Sequence, residues 1–391
     1  MKILVIAAGP FPLARGTPAR TLRVSEALEA RGHEVCVAAF PLADDSIETT
    51  LRIERSPGVR SYNKTSPGPS IKKFFLMNPR LATTVRELLE RERFDAIYAH
   101  HYEGLLVASV ARRRSRLRIP IIFDSHTLLG SELSFYAPGI FGWPADRFGA
   151  ILDKCLFRLA DAVIGVTDEI AYFYASRSES DMPILSAVNG VECEKFAHPP
   201  RSDVGRKPIL VVFAGNLSSY QGFDLLVSAF GRIRKQRNDI ELLVASEDAI
   251  DALSAVGIDD PFEHGILVQP GGFTELPQVL AAADIAVNPR TVCPGIPQKL
   301  LNYMAAELPT VSFDGSAAIL VHEESGLIVP NGDTDKFAEA VIRLADSPEL
   351  RMRLGHTALN LVRSEFTWDR VAVTFERIAG VLLGSPSANT A

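Results

Sequence analysis

The chain has 391 residues, more than one ordinary hydrophobic core holds, so about two or three domains are expected. A hydrophobic share of 47% and a charged share of 23% place it among globular proteins. A net charge of −6 excludes a molecule built to wrap nucleic acid, and no apolar run reaches the ~18 residues that span a bilayer.

The N-terminal MKILVIAAGPF reads as a buried first strand rather than a signal segment, because its apolar run ends at Ala8 and nothing resembling a cleavage site follows. Ile3–Ala8, Glu34–Phe40, Ala96–His100, Ile119–Ser125 and Ala162–Thr167 are predicted strands. They are β-branched and apolar on both faces, as buried parallel strands are. A helix separates the first two, with Val24, Ala27 and Leu28 on one face. Thr17 suits its N-cap, Pro18 its first turn and Gly32 its C-terminal cap. Cys36, Cys155, Cys193 and Cys293 lie far apart, with no CxxC or His/Cys metal spacing. They read as reduced thiols of a cytoplasmic protein, and no metal ligands are assigned.

Ala197–Lys207 (AHPPRSDVGRK) is rich in proline and charge, as domain linkers are. The pattern then restarts with strands at Ile209–Gly215, Ile240–Ala245, Gly265–Gln269, Ile285–Pro289, Pro309–Phe313 and Gly326–Val329. Helical stripes intervene: Leu225, Leu226, Ala229, Phe230 and Ile233; Leu276, Val279, Leu280 and Ala283; Leu300, Tyr303 and Met304; Phe337, Ala340, Val341 and Leu344. Two runs of βαβα grammar imply an α/β protein of two facing Rossmann-like domains with mainly parallel sheets, residues 1–197 and 198–365. The tail at 384–391 (GSPSANTA) is expected to be disordered.

Open α/β sheets bind ligands at the carboxyl ends of their strands, so chemistry is sought just after strands. The loop Ala8–Arg20 lacks both G-x-G-x-x-G and the Walker lysine, which weakens NAD and ATP readings. Gly16 lets backbone approach a ligand, and the following helix N-terminus favours an anion. His126 ends the Phe123-Asp124-Ser125-His126 run, where imidazole can bond a sugar hydroxyl or steady developing charge. Glu132 follows as a helix-start carboxylate or an acceptor contact. Ala214–Gly222 (AGNLSSYQG) brings Asn216 and Gln221 to a strand–helix turn. In Pro294–Ala305 (PGIPQKLLNYMA), Gly295 frees the loop and Pro297 is compatible with the first helical position. The N–H groups of Gln298 and Lys299 are then unpaired donors with a positive dipole behind them, and Lys299 adds a charge, which together make a diphosphate cradle.

Several segments together resemble retaining glycosyltransferase family 4, the group 1 glycosyltransferases of GT-B fold. They are Arg31–Val35, Ala160–Thr167, Val188–Val191 with Phe196, Gly215 with Gln221-Gly222 before Leu225-Leu226, Ala283-Asp284 with Pro289, Gly295–Ala306 and Gly326–Pro330, in family order over about residues 1–380. The resemblance implies a nucleotide-diphosphate-sugar donor held by the C-terminal domain, an acceptor on the N-terminal domain, no metal and no further cofactor. It also implies that the last helix, around 366–383, returns to the N-terminal domain. It sets Gly16 and Thr17 beside the donor phosphates, His126 at the transferred sugar and Phe273 against the base. Ile296, Pro297, Gln298, Lys299 and Leu300 offer backbone to phosphate and sugar, and Asn302 faces the ribose. Arg20, His101 and Glu132 fall on the acceptor side.

The chain departs from the family pattern at telling places. The two glutamates many members carry are Pro294 and Asn302 here; the usual arginine and lysine are Asn216 and Gln221; the glycine after Met-Ala-Ala is Glu307. Arg290 and Lys299 are the cations left to neutralise a diphosphate. The expected activity is transfer of a sugar to an acceptor hydroxyl with retention, with His126 and Lys299 as catalytic groups, in glycan, polysaccharide or glycolipid biosynthesis. A catalytically weak subunit that binds nucleotide-sugar or a partner enzyme, or an epimerase or hydrolase on the same fold, are the alternatives. Lys72–Met77 (KKFFLM), the basic run Arg112–Arg118 and the aromatic loop Phe135–Trp143 raise a further option: peripheral contact with the inner face of a membrane and a lipid-linked acceptor.

Overall fold

A computed structural model describes residues 1–13, 16–65, 68, 70–136, 142–178, 181–198, 208–246, 249–270, 275–293 and 295–384, without the side chains of 134–136, 142–144 and 219. The chain forms two units, Met1–Asn189 with the segment from Trp368 onward, and Gly190–Thr367.

In the first unit, strands β1 (Lys2–Ala7), β2 (Glu34–Ala39), β3 (Arg52–Arg55), β4 (Ala96–His100), β5 (Ile121–Ser125), β6 (Ala162–Gly165) and β7 (Ile184–Ser186) form one sheet in the order β3-β2-β1-β4-β5-β6-β7. Every pairing is parallel. Alternation along β1 explains why both faces are covered. Ile3 and Val5 pack with Leu22, Val24 and Leu28 of α1 (Gly16–Ala30) and with Val371, Phe375 and Ile378 of α13 (Trp368–Leu382). Leu4 and Ile6 pack on the other face with Leu81 and Val85 of α2 (Asn78–Arg91) and Leu105 and Ala108 of α3 (His101–Ser115). Further along the chain lie α4 (Leu129–Tyr136), α5 (Gly142–Leu156) and α6 (Asp168–Ala175).

The five predicted strands are present, with ends shifted by one or two residues. The two edge strands β3 and β7 were not foreseen. β3 reads Arg-Ile-Glu-Arg and is only partly buried, so it carries no apolar signature; β7 is three residues long and follows Pro183. Helix α1 begins at Gly16, before the expected cap at Thr17. Its end is as expected: Gly32 takes φ 85°, with Gly32 N–H donating to Glu29 O at 2.8 Å and His33 N–H to Leu28 O at 3.1 Å.

The second unit holds β8 (Ile209–Ala214), β9 (Ile240–Ala245), β10 (Ile266–Gln269), β11 (Ile285–Asn288), β12 (Thr310–Phe313) and β13 (Leu327–Val329), all parallel, in the order β10-β9-β8-β11-β12-β13. Phe213 and Val211 face α7 (Phe223–Gln236), α8 (Ala249–Ala255) and α11 (Thr334–Asp346). Val212 and Ala214 face α9 (Leu276–Ala282), α10 (Gln298–Ala305) and α12 (Pro348–Glu365). The predicted stripes supply these contacts: Leu226, Ala229, Phe230 and Ile233 are buried on α7, and Leu300, Tyr303 and Met304 on α10.

The division between units falls at Asn189/Gly190, eight residues before the position set from composition. Val191, Cys193 and Phe196 account for the difference: they are buried in the second unit's core with Leu280, Tyr303 and Leu308. Proline and charge mark where the linker is polar, not where burial changes partner.

Candidate active site

In each sheet the connections reverse direction at the first strand, between β1 and β4 and between β8 and β11. Such a switch point leaves a crevice at the strands' carboxyl ends, where ligands of open α/β sheets bind.

In the first unit this crevice is built on charge. β4 and β5 pair with His100 opposite Asp124. Asp124 is fully buried after the apolar Ile121-Ile122-Phe123 run of β5, and Arg20 from α1 answers it. Arg20 donates from Nε to Asp124 Oδ2 at 2.9 Å and from a terminal nitrogen to Oδ1 at 3.0 Å. Its other donors reach Ala187 O and Asn189 Oδ1, both at 2.9 Å. Burial alone would raise the Asp124 carboxyl pKa. Arg20 and the two neighbouring imidazoles outweigh it and hold the group well below its usual range. Tyr98 also donates to Asp124 Oδ2, at 3.1 Å.

His100 Nδ1 lies 3.0 Å from Asp124 Oδ2. His126, just past β5, places Nε2 at 3.2 Å from His100 Nδ1 and 3.5 Å from Asp124 Oδ2. Burial lowers the His126 pKa to about 4; Asp124 opposes this, and the positive surroundings of Arg20 add to it, so the ring is neutral near pH 7. His100, Asp124 and His126 each bring one donor atom within 4.8 Å of the others, a spacing a metal ion can use. Arg20 already balances the Asp124 charge, and we assign no ion there.

His101, the first residue of α3, adopts φ 63°, uncommon for a non-glycine residue. Its Nε2 lies 2.9 Å from Glu132 Oε2 and its Nδ1 3.4 Å from Glu103 Oε2, which also pairs with Lys73 Nζ at 2.6 Å. Burial disfavours the imidazolium, but the two carboxylates prevail and raise the His101 pKa to about 9.

The second unit offers the opposite charge. The turn after β8 carries Asn216 and Gln221. Gly222, φ 69°, must be glycine, because a Cβ there would lie 2.2 Å from Pro289 O. This contact brings the β8 turn against the loop after β11. From α10, Lys299 Nζ donates to Gln221 Oε1 at 2.9 Å and lies 4.0 Å from the Phe213 ring centroid. Burial, with the Arg290 charge nearby, lowers the Lys299 pKa to about 7. Arg290 stacks 4.8 Å over Tyr220 and donates to Val292 O at 2.7 Å. Neither cation has a carboxylate partner among the described residues. α10 starts at Gln298 with Pro297 as its extended N-cap, one position earlier in role than the sequence suggested.

Two family profiles match the chain: a glycosyl transferase 4-like domain over residues 15–178 and glycosyl transferases group 1 over residues 208–347. The chain belongs to glycosyltransferase family 4. Among relatives of this glycosyltransferase, D-inositol 3-phosphate glycosyltransferase of Kribbella flavida is 24% identical, covering 83% of this chain and 81% of the relative. Phosphatidyl-myo-inositol mannosyltransferase of Mycobacterium leprae is 25% identical, covering 97% and 96%. The structure of Anabaena HepE in complex with UDP superposes with a TM-score of 0.70 at 16% identity, covering 99% and 100%, and shares the GT-B fold of two Rossmann-like domains.

Of the glycosyltransferase residues expected on the acceptor side, His101 and Glu132 come together, but Arg20 is corrected. Only 3% of Arg20 is exposed and its donors are committed to Asp124, Ala187 and Asn189, so it braces the site from within. Leu300 is a second correction: its side chain is buried and its N–H donates to Pro297 O at 3.0 Å, leaving no backbone donor for a ligand. The N–H groups of Gln298 and Lys299 have no partner among the described residues. The Gln298 side chain is tied to Gly190 O at 3.2 Å. Gly295 and Ile296 lie in the loop leading to α10, and Asn302 is buried one turn into the helix. Gly16 and Thr17 open α1. Phe273 lies outside the described residues. Sequence reasoning passed over His100, Tyr98 and the role of Asp124. The available signal was a lone carboxylate inside a buried apolar strand, which demands a cation somewhere.

Proposed function

We propose that this glycosyltransferase moves a sugar from a nucleotide-diphosphate-sugar to an acceptor hydroxyl with retention of anomeric configuration, without a metal ion or other cofactor, in glycan, polysaccharide or glycolipid assembly. One observation carries the reading: Lys299 and Arg290, two cations without carboxylate partners among the described residues, stand at the start of α10 with the N–H groups of Gln298 and Lys299, which have no partner among those residues either. A diphosphate leaving group develops negative charge, and fixed cations and helix N-terminal dipoles stabilise it as it forms. These groups supply the positive charge that a metal ion supplies elsewhere. UDP in the Anabaena HepE structure supports a nucleotide-sugar donor. In this reading Asn302 bonds a ribose hydroxyl.

Retention is favoured by the state of the carboxylates around His126 and His101. Asp124 is buried under Arg20, and Glu103 and Glu132 are engaged by His101, so none is a free nucleophile for a covalent glycosyl intermediate. The acceptor hydroxyl then attacks from the face the nucleotide leaves, and its proton passes to an oxygen of the departing diphosphate. His126 orients a sugar hydroxyl, and His101 with Glu132 contacts the acceptor.

Turnover with a panel of UDP-, GDP-, ADP- and TDP-sugars, with and without EDTA, tests this. Product with retained configuration, insensitive to EDTA, is expected. Full activity in His126→Ala or Lys299→Ala would remove the site assignment, and absence of both binding and turnover across the panel would remove the function.

Contact with an anionic lipid surface is also proposed. Among the described residues no helix is long and apolar enough to cross a membrane. Ile71, Phe74 and Phe75 stand 79%, 50% and 67% exposed beside Lys72, at the turn that leads into α2. The basic run does not join them. Arg112 is bound to Asp161; Arg113 and Arg114 lie in the last turn of α3 and Arg116 and Arg118 follow it, about 20 Å of helix away from its start. Residues 137–141 of the aromatic loop lie outside the described residues. Loss of vesicle co-sedimentation in Phe74→Ser/Phe75→Ser is expected, and equal binding by that variant would remove the proposal.

A further inference from the structure

The buried cluster behind His126 fixes where that ring carries its proton. Asp124 is a charged carboxylate, which accepts hydrogen bonds and donates none. His100 Nδ1, 3.0 Å from Asp124 Oδ2, therefore carries the proton of that ring. Burial lowers the His100 pKa, so the ring is neutral and its Nε2 is a bare acceptor. This fits the surroundings: His100 Nε2 is buried with no partner among the described residues. A buried acceptor left unpaired is better tolerated than a buried N–H left unpaired.

His126 comes next. Its Nε2 lies 3.2 Å from His100 Nδ1 and 3.5 Å from Asp124 Oδ2, so the His100 nitrogen is the nearer partner. Facing a donor, Nε2 must be the acceptor. In a neutral imidazole the proton then sits on Nδ1, which has no protein partner among the described residues.

We infer that His100 is a positioning residue that holds His126 in the Nδ1–H tautomer, so that His126 presents a hydrogen-bond donor to the bound sugar or acceptor and cannot serve as the base that takes the acceptor's proton. The inference rests on the proposed site at His126, but the tautomer belongs to the free protein and is read without substrate. Registry makes the relay possible: His100 and Asp124 are direct partners across β4 and β5, and Arg20 supplies the countercharge that keeps Asp124 ionised.

The test is two-bond proton–nitrogen correlation on protein with nitrogen-15 histidine, the His126 signal being assigned by its loss in His126→Gln. Protonated Nδ1 and bare Nε2 are expected near pH 7; a protonated Nε2 in the unmodified protein overturns the inference, whatever the turnover assay shows. In His100→Phe, Nε2 loses its donor, so the proton is expected to move to Nε2, with kcat falling about tenfold, the worth of one hydrogen bond, and donor KM little changed. His100→Gln or His100→Asn, each bearing an amide N–H, is expected to restore part of both. A folded His100→Phe protein with an unchanged tautomer also overturns it. If that variant does not fold, the spectrum of the unmodified protein decides.

Discussion

Lys299 donates to Gln221 across 2.9 Å, joining the α10 N-terminus to the turn after β8, and Gln221 is neutral. The lysine is thus buried beside an amide and an aromatic ring rather than a carboxylate, and its pKa falls to about 7. A bound diphosphate favours the charged form and raises that value. Binding of a nucleoside diphosphate should therefore take up a proton above pH 7, and affinity should weaken as pH rises, by at most about tenfold per unit. Calorimetry of UDP or GDP binding at pH 8, in buffers of different ionisation enthalpy, measures the uptake directly. Lys299→Met should abolish it, and affinity that stays flat from pH 6.5 to 8.5 would refute it.

Arg20 and Asp124 form a pair exposed by 3% and 0%. Removing the cation leaves a buried carboxylate facing only Tyr98 and neutral imidazoles. Arg20→Ala should cost about 3–5 kcal/mol of stability, the range for breaking a buried pair. Arg20→Lys should recover little of it, because an ammonium cannot repeat the two-point contact while also reaching Ala187 and Asn189. Denaturant melts of both variants give the comparison; a loss under 1 kcal/mol for alanine would show that the pair is not structural.

These two pairs show what the sequence could and could not disclose. The Gly295–Asn302 stretch was legible because a proline and a lysine at a helix start act locally, through backbone donors and dipole. The strands were legible because burial on both faces demands continuous apolar runs; β3, charged and at an edge, escaped for the same reason. Arg20 and Asp124 are 104 residues apart. Nothing local marks Arg20 as buried, and it reads as a ligand-facing arginine until the strand register places its partner. His100 was hidden similarly, being one more residue at the end of an apolar strand.

Glu307 ends α10 at φ 55°, with its N–H donating to Met304 O and Leu308 N–H to Tyr303 O, each at 3.0 Å. This is the left-handed cap that glycine fills at no steric cost. The Glu307 side chain reaches His356 Nδ1 at 3.2 Å, but that pair is solvent-exposed and worth little. Glu307→Gly should therefore stabilise the protein, by about 1 kcal/mol. A rise in Tm checks this. A fall would mean that the His356 contact, or the extra chain freedom of glycine in the unfolded state, outweighs the strain.

His101 tests the charge of the proposed acceptor side. Its pKa is raised to about 9 against burial by Glu103 and Glu132, and Glu103 is itself lowered to about 2, so the imidazolium and that carboxylate coexist across the neutral range. The sign follows from linkage: a folded pKa above the unfolded one adds stability that is complete below about pH 6.5 and is lost as pH rises through 9. His101→Asn keeps a residue that tolerates the φ of 63° but removes the charge. The variant should be less stable than the parent by up to about 3 kcal/mol at pH 6, with the gap closing by pH 10. Unfolding free energies of the two proteins across this range supply the difference directly. A gap that is constant with pH would assign the loss to packing, and one that widens as pH rises would mean that His101 is neutral in the folded protein, leaving Glu132 free for an acceptor.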